Sequence, residues 1–389
     1  MKMNAIPAII MVACFSIMPL AHAEVETYEG TGECIISEFE TQDIGKQRAK
    51  QRAEQRCVEQ AGLYVETHSS ESKGYLTEDV TTTIAASIIK VTDVKYTKVF
   101  TDDGSGIRII AKITAKIDSN DITKFLKQGT LNNGRLVEQY KELQRERERQ
   151  DKEISNLRQK LANATSDQEK KELKAAVLSA DKRFLSSKLT EEGIKIFTHP
   201  DPKYDNLNIP WNKAINLFTK AIELDGSNAK AYTWRCLVYQ QISGQYAGEY
   251  PYSLNADPEK YRYYEDLAAS DITQALKVDP NYGYAHVIQG LHYVSTEEQT
   301  LSELNKAIDV DPNCWEAYYS RSIFYTEKLH DYNSALNDIN RAIELAPHVG
   351  DLYYSRGTLL IFHFPPAYNK QGEADRDKSI KLSSIYSYK

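Results

Sequence analysis

Cysteine is scarce: five residues in 389, one of them, Cys14, inside an apolar N-terminal stretch. Four thiols over the remaining length are no disulfide framework of the kind that staples small secreted domains. Cys34 and Cys57 could meet if the first strand lies against the first helix, so one disulfide or two separately buried thiols both fit. Cys236 and Cys314 fall in helices of different units, and no Cys-x-x-Cys spacing suggests zinc. The eight histidines are scattered. None makes His-x-x-x-His on a helix, and His286 and His292 are six apart and face different sides. Gly-x-Ser-x-Gly, His-Glu-x-x-His and phosphate-cradling Gly-x-x-x-x-Gly-Lys-Ser/Thr are all missing. The Asp-Pro pairs at 257–258, 279–280 and 311–312 read as helix ends. The sequence therefore supports no enzyme, metal or cofactor.

Long apolar runs are also lacking. Beyond residue 20 nothing approaches the ~18 apolar residues of a membrane-spanning helix, and 26% charged residues with a mean hydropathy of −0.54 exclude an integral membrane protein. Residues 1–23 read as a secretory signal: Lys2 supplies the positive start, Ile6 to Leu20 the apolar middle, and Ala21-His22-Ala23 the cleavage site. The rival reading takes Met11-Val12-Ala13-Cys14 as a lipoprotein site with Cys14 acylated. Either way the chain is expected outside the cytoplasm, in the periplasm or cell envelope. The formal charge of −7 argues against general nucleic-acid binding.

What is present is repetition. Phe218-Thr-Lys-Ala221-Ile-Glu-Leu-Asp225, Ile272-Thr-Gln-Ala275-Leu-Lys-Val-Asp-Pro280, Leu304-Asn-Lys-Ala307-Ile-Asp-Val-Asp-Pro312 and Ile339-Asn-Arg-Ala342-Ile-Glu-Leu-Ala-Pro347 write one sentence four times. The alanines are spaced 54, 32 and 35 residues apart. The long step is explained by an insertion near 243–264 that is rich in tyrosine. Ala214, Ala268 and Ala335 precede these alanines in phase, while Thr300 departs. Before each unit stands another helix, written Ala231-Tyr232-x-x-Arg235-x-x-x-Tyr239, Ala285-x-x-x-x-Gly290-x-x-Tyr293, Ala317-Tyr318-x-x-Arg321-x-x-x-Tyr325 and Tyr353-x-x-Arg356-Gly357. A partial first copy uses Leu189 to Phe197 with Gly193 at the small position, and a polar last copy around Asp377 to Leu382 serves as a cap. A unit of this size cannot bury its apolar face alone, so the copies must stack.

These alanines, tyrosines and Asp-Pro closures resemble the tetratricopeptide repeat (TPR) family over residues 181–389, with four to five copies. The resemblance implies an all-α solenoid whose first helices line a concave groove for a peptide or partner helix. Projected onto that geometry, the groove holds Thr233, Leu237 and Gln240, then Tyr284, Val287, Leu291 and Val294, then Glu316, Tyr319, Ile323 and Thr326, then Asp351, Tyr354 and Ile361. The principal candidates are Leu237, Tyr284, Leu291, Glu316, Tyr319, Ile323, Asp351 and Tyr354, an apolar and aromatic floor with acidic edges. The Lys and Asn that chaperone-tail binders of the family use are replaced here, which argues against a carboxylate clamp and for a partner with apolar anchors. Some of these aromatic residues can equally be inter-helix packing.

Residues 24–130 read as an α+β domain. Tyr28 to Ser37 is β-prone, a helix from Asp43 to Ala61 carries the small stripe Ala49, Ala53, Cys57 and Ala61, and Gly62 is expected to stop it. Leu63 to Thr67 reads as a strand and Thr77 to Ile88 as a second helix. Val91 to Phe100 and the strictly alternating Ile107 to Ile117 form a hairpin. Gly30-x-Gly32, Arg48-Ala49-x-x-Arg52-Ala53, Gln60-Ala61-Gly62-Leu63-x-Val65 and Gly74-Tyr75-Leu76 resemble the N-terminal domain of the flagellar assembly protein FlgT and related small envelope lipoproteins. The resemblance implies an interaction module without catalytic residues. Lys46, Arg48, Lys50, Arg52 and Arg56 make one side of the helix cationic, either as a solvated face or as a contact for an anionic polymer or acidic partner.

Between the two lies a charged connector, 131–180, in which Leu136, Tyr140, Leu143, Ile154, Leu157, Leu161 and Ala164 keep a heptad spacing. Arg147 and Gln150 interrupt the seam. It reads as a long helix that either pairs with a second copy, making a homo-oligomer, or spaces the domains apart. The chain is thus multidomain: an exported, non-enzymatic scaffold that docks a protein or peptide, or, in the alternative, a self-assembling component of a surface or flagellar/secretion apparatus.

Overall fold

The computed structural model describes residues 25–37, 39–70, 82, 84–86, 88–101, 106–118, 133–198, 211–247, 257–347 and 349–384. The expected signal segment with Cys14, Thr77, Val80, the turn at 102–105 and the insert residues 201–210 and 248–256 lie outside them.

Three strands, β1 (Val25–Ile36), β2 (Lys90–Phe100) and β3 (Ile107–Asp118), form an antiparallel sheet in the order β1-β3-β2. The alternation read in Ile107 to Ile117 is realised: Ile109, Ala111, Ile113, Ala115 and Ile117 are buried under helix α1 (Gln42–Ser70). The α1 stripe of Ala49, Ala53, Cys57 and Ala61 is fully buried against the sheet. Contact is close enough that a Cβ on Gly30 would stand 2.1 Å from the Ala53 carbonyl oxygen, and one on Gly32 2.2 Å from that of Ala49. The strand expected at Leu63 to Thr67 is instead helix, and Gly62 does not end it. Val65 continues the four-residue stripe and packs with Ile84, Ile88 and Ile117, so burial outweighs the helix-breaking preference of a single glycine. Helix α1 covers β1 and β3 and leaves Tyr96 and Phe100 of β2 exposed.

The connector does not stand alone. Helices α2 (Asn133–Asn163) and α3 (Asp167–Thr198) form an antiparallel hairpin, and α3 runs unbroken through positions 180 and 181. From Arg147 onward the heptad seam meets α3 of the same chain: Arg147 bonds Glu191 at 2.6 Å, Gln150 donates to Ser187 at 2.8 Å, and Ile154 is buried. The two polar residues that interrupt the seam are the ones that fix this register.

The cationic side of α1 is solvated only in part: Lys46 and Lys50 pair with Asp43 and Glu54 of the same helix and Arg56 is exposed, whereas two of its arginines turn to the helical hairpin. Arg48 is 2% exposed and lies 2.8 Å from Asp181 of α3, while Arg52 pairs with Asp151 of α2 at 3.1 Å. Arg158 bonds Glu40, Lys188 donates to Gln47 at 3.0 Å, and the Arg48 guanidinium lies over the Phe184 ring. The acidic partner of this helix is the hairpin itself.

Thereafter helix pairs follow one another: α3 with α4 (Trp211–Leu224), α5 (Ala229–Gly244) with α6 (Pro258–Val278), α7 (Gly283–His292) with α8 (Glu297–Val310), α9 (Trp315–Phe324) with α10 (Tyr332–Leu345), and α11 (Gly350–His363) with α12 (Asn369–Ser384). Of the three Asp-Pro pairs, the one at 257–258 starts a helix rather than ending one: Asp257 accepts from the Lys260 amide and Pro258 sits in the first turn, the position where a missing N–H costs nothing.

Two tests follow from this packing. Gly30→Val is expected to cost about 2 kcal/mol by overpacking, read as an earlier denaturant midpoint; an unchanged midpoint would mean the strand and helix are not in contact. For the interface, burial pushes the Asp181 carboxyl from 3.8 up to about 6, against the pull of Arg48 and with help from Glu40. The folded chain therefore binds a proton that the unfolded chain leaves unbound between pH ~6 and ~4. Stability from this group should rise on acidification through that window, by up to ~1.4 kcal/mol per pH unit. Denaturant titrations from pH 7 to 4.5 should show that slope in the native chain and its loss in Asp181→Asn.

Candidate functional site: the concave face of the helical array

Three of the helix pairs are held by the same three-way bond. Arg235 of α5 makes two bonds to Asp271 of α6, both 2.7 Å, and one to Thr219 of α4 at 2.9 Å. Arg321 of α9 bonds Asp338 of α10 at 2.7 and 2.8 Å and Asn305 of α8 at 2.7 Å. Arg356 of α11 bonds Asp375 of α12, both at 2.7 Å, and Asn340 of α10 at 2.8 Å. In every case the planar guanidinium grips the carboxylate of its own pair bidentately and spends its third donor on the pair before. The tyrosines of the Tyr-x-x-Arg-x-x-x-Tyr pattern flank the cation, Tyr232 and Tyr239 on Arg235 and Tyr318 and Tyr325 on Arg321, with centroids 5.8 to 5.9 Å away, within cation–π range. Donating hydrogen bonds to the Asp338 carboxylate holds the pKa of the Arg321 guanidinium above its ordinary value. Sequence reading found the Tyr-Arg-Tyr spacing and missed the partners. The signal was there, since Thr219, Asn305 and Asn340 each stand 16 residues before their arginine.

This ladder fixes which side of the first helices remains open. Leu291, at 45% exposed, and Tyr354, at 51%, are the most accessible of the candidate groove residues, and Phe362 near Ile361 is 68% exposed. Arg376 of α12 lies over the Tyr354 ring, 5.6 Å from its centroid. Tyr284 is half-buried beside Trp234, and Leu237 packs between the α4–α5 and α5–α6 cores. Tyr319 leans on Trp315, with its hydroxyl 3.4 Å from Ser355 Oγ, and Ile323 is half-buried. Glu316 and Asp351 occupy the first turns of α9 and α11, where carboxylates complement the helix dipole. Two of the projected residues are not on the open face: Thr233 is buried and donates to the Ala229 carbonyl, and Val287 is buried against Leu304 and Ala307. Gln240 donates to the Tyr293 hydroxyl at 2.9 Å. Gln240 is thereby drawn to the residue that caps α7, and Val287 into the α7–α8–α9 core.

All four described cysteines are buried free thiols, Cys34 and Cys57 sharing the sheet–helix core, and no disulfide joins them. Burial pushes Cys236 up to about 12 and Cys57 to about 11, far from the depressed values of reactive thiols. Among the described residues no three His, Cys, Asp or Glu side chains are placed to hold a metal ion, and no helix is long and apolar enough to cross a membrane.

No family model matches the chain, and no curated protein does. Solved structures with a similar helical array include MamA from Desulfovibrio magneticus RS-1 (13% identity, 52% of this chain and 95% of that one, TM-score 0.32). PilF from Pseudomonas aeruginosa shares 13% identity over 54% of this chain and 79% of that one, at a TM-score of 0.36. YrrB, described as a TPR protein with an unusual peptide-binding site, shares 20% identity over 44% and 77%, at a TM-score of 0.28. None of these scores reaches 0.5, and the repeat assignment stands on the phase and the ladder of this chain.

Arg321→Ala should leave the Asp338 carboxylate buried without its partner and cost about 3–5 kcal/mol. Arg341→Ala, which removes an exposed pair with Glu344 of the same helix, should leave the urea midpoint nearly unchanged, because solvent screens such a pair. Urea titrations of both variants check the contrast, and equal losses would mean that the ladder does not carry the array.

Proposed function

We propose that this protein is an exported, non-enzymatic scaffold whose helical array docks a protein or peptide through apolar anchors. The observation that carries the reading is the exposure of Leu291 on α7 and of Tyr354 and Phe362 on α11, large apolar side chains that the repeat packing leaves uncovered on first helices of the array. Uncovered apolar side chains of this size are anchors for a docked segment. Export rests on the N-terminal 1–23 segment. The FlgT-like reading of the sheet domain adds an envelope-associated module, and the helical hairpin would hold that module against the first repeat. Self-assembly through the connector has less support, because its seam from Arg147 onward is filled by α3.

The test is capture from envelope extracts by the mature chain, compared with Leu291→Ala/Tyr354→Ala. The double variant should lose most of the captured partner, at least tenfold in apparent affinity, with an unchanged melting temperature, since both side chains are exposed. Tyr319→Ala with Ile323→Ala should lower capture as well and also cost about 1–3 kcal/mol of stability through lost packing. Undiminished capture by the Leu291/Tyr354 variant would place the docking surface elsewhere.

A further inference from the structure

One rung of the ladder is missing. In α7 the position equivalent to Arg235, Arg321 and Arg356 holds Gln289, whose side chain reaches only the Tyr293 carbonyl, at 3.4 Å. The carboxylate of α8 at the equivalent place, Glu303, is taken by His286 at 2.7 Å, and the other ring nitrogen of His286 faces the Pro280 carbonyl at 2.9 Å. His286 is 1% exposed. The α7–α8 pair therefore has its own internal tie, through a histidine one turn earlier than the usual arginine. What it lacks is the third bond, the one that crosses to the preceding pair. Thr273 of α6 stands 16 residues before Gln289, where Thr219, Asn305 and Asn340 serve the other rungs, and its hydroxyl turns back to the Ala269 carbonyl at 2.7 Å.

A second observation is independent of these hydrogen bonds. Of the four junctions between a second helix and the first helix of the next pair, α6 against α7 makes the thinnest contact; α4–α5, α8–α9 and α10–α11 are all broader. Ties across this junction also run to α5, by Gln240 to the Tyr293 hydroxyl and by Trp234 against Tyr284. On the α6 side the contact is apolar packing, Ile272 and Ala275 with Ala285 and Ile288, so opening there slides an apolar seam about the line of the α5 ties.

We infer that the α6–α7 junction is a hinge at which the array bends, changing the width of the groove between α5 and α9 while each helix pair stays intact. The α5–α6 and α9–α10 pairs, each locked by a bidentate arginine, are the rigid arms, and the exposed Leu291 lies at the hinge. Cooperative units in repeat arrays are separated by weak nearest-neighbour interfaces, and this interface is the one without its cross-pair bolt.

The test is native-state hydrogen exchange on the full mature chain. Amides of α7 should exchange at least tenfold faster than those of α9 through an opening smaller than global unfolding. Gln289→Arg, which supplies a donor for Thr273 and Glu303, should slow α7 exchange about fivefold or more. The converse variant, Arg321→Gln, should move fast exchange to the α8–α9 junction, so the conclusion does not depend on the added arginine fitting. Native α7 amides as protected as those of α9, or an Arg321→Gln chain with no new fast exchange at α8–α9, would overturn the hinge.

Discussion

An arginine buried between two helix pairs can be tolerated only if all its donors are met. That requirement organises the C-terminal half of this protein. Asp271, Asp338 and Asp375 are buried carboxylates, each neutralised by one bidentate guanidinium, and removing either partner would strand a charge in a low-dielectric interior. The third donor of each arginine turns a stack of self-contained hairpins into a continuous array, because it is satisfied only when the preceding pair is in register. The tyrosines on either side shield the cation from water. With the ladder on one side, the aromatic and aliphatic residues left on the other are those free to meet a partner.

The same physics joins the N-terminal domain to the array. Arg48 and Asp181 bury opposite charges between α1 and α3, with Arg158 and Glu40 beside them. Helix α1 thus uses one side, of small residues, to lie on the sheet, and Arg48 and Arg52 on another to dock on the hairpin. The hairpin is part of the array rather than a spacer: α3 begins beside the sheet domain and ends as the first helix of the first pair, with Ser186 donating to the Ala221 carbonyl of α4. A partner held in the groove would be carried at a set distance from the sheet domain.

Much of this was legible in the chain. Period-two alternation in Ile107 to Ile117 and the four-residue stripe of Ala49 to Ala61 are local patterns, and each names its buried face without knowledge of what covers it. The repeat phase was visible for the same reason. Less legible was anything that depended on a partner far along the chain. Gly62 looks like a helix stop until Val65 is seen against Ile84 and Ile117. Arg48 of α1 looks solvated until α3 arrives about 130 residues later. Thr233 and Val287 project into the groove on an averaged repeat but are buried in the fold, Val287 in the core it shares with Leu304, Ala307 and Ala317.

The sequence alone therefore determined most of the element types, the repeat period and the small-residue faces, because these follow from backbone periodicity and side-chain size within a few turns. Only the tertiary structure decided the partners of the buried charges, the docking of the connector and the identity of the junction without its bolt. Those are long-range matters: a guanidinium, a carboxylate or a glutamine reads the same in the chain whatever stands opposite, and its energetic meaning is set by burial and by the second group that the fold brings to it.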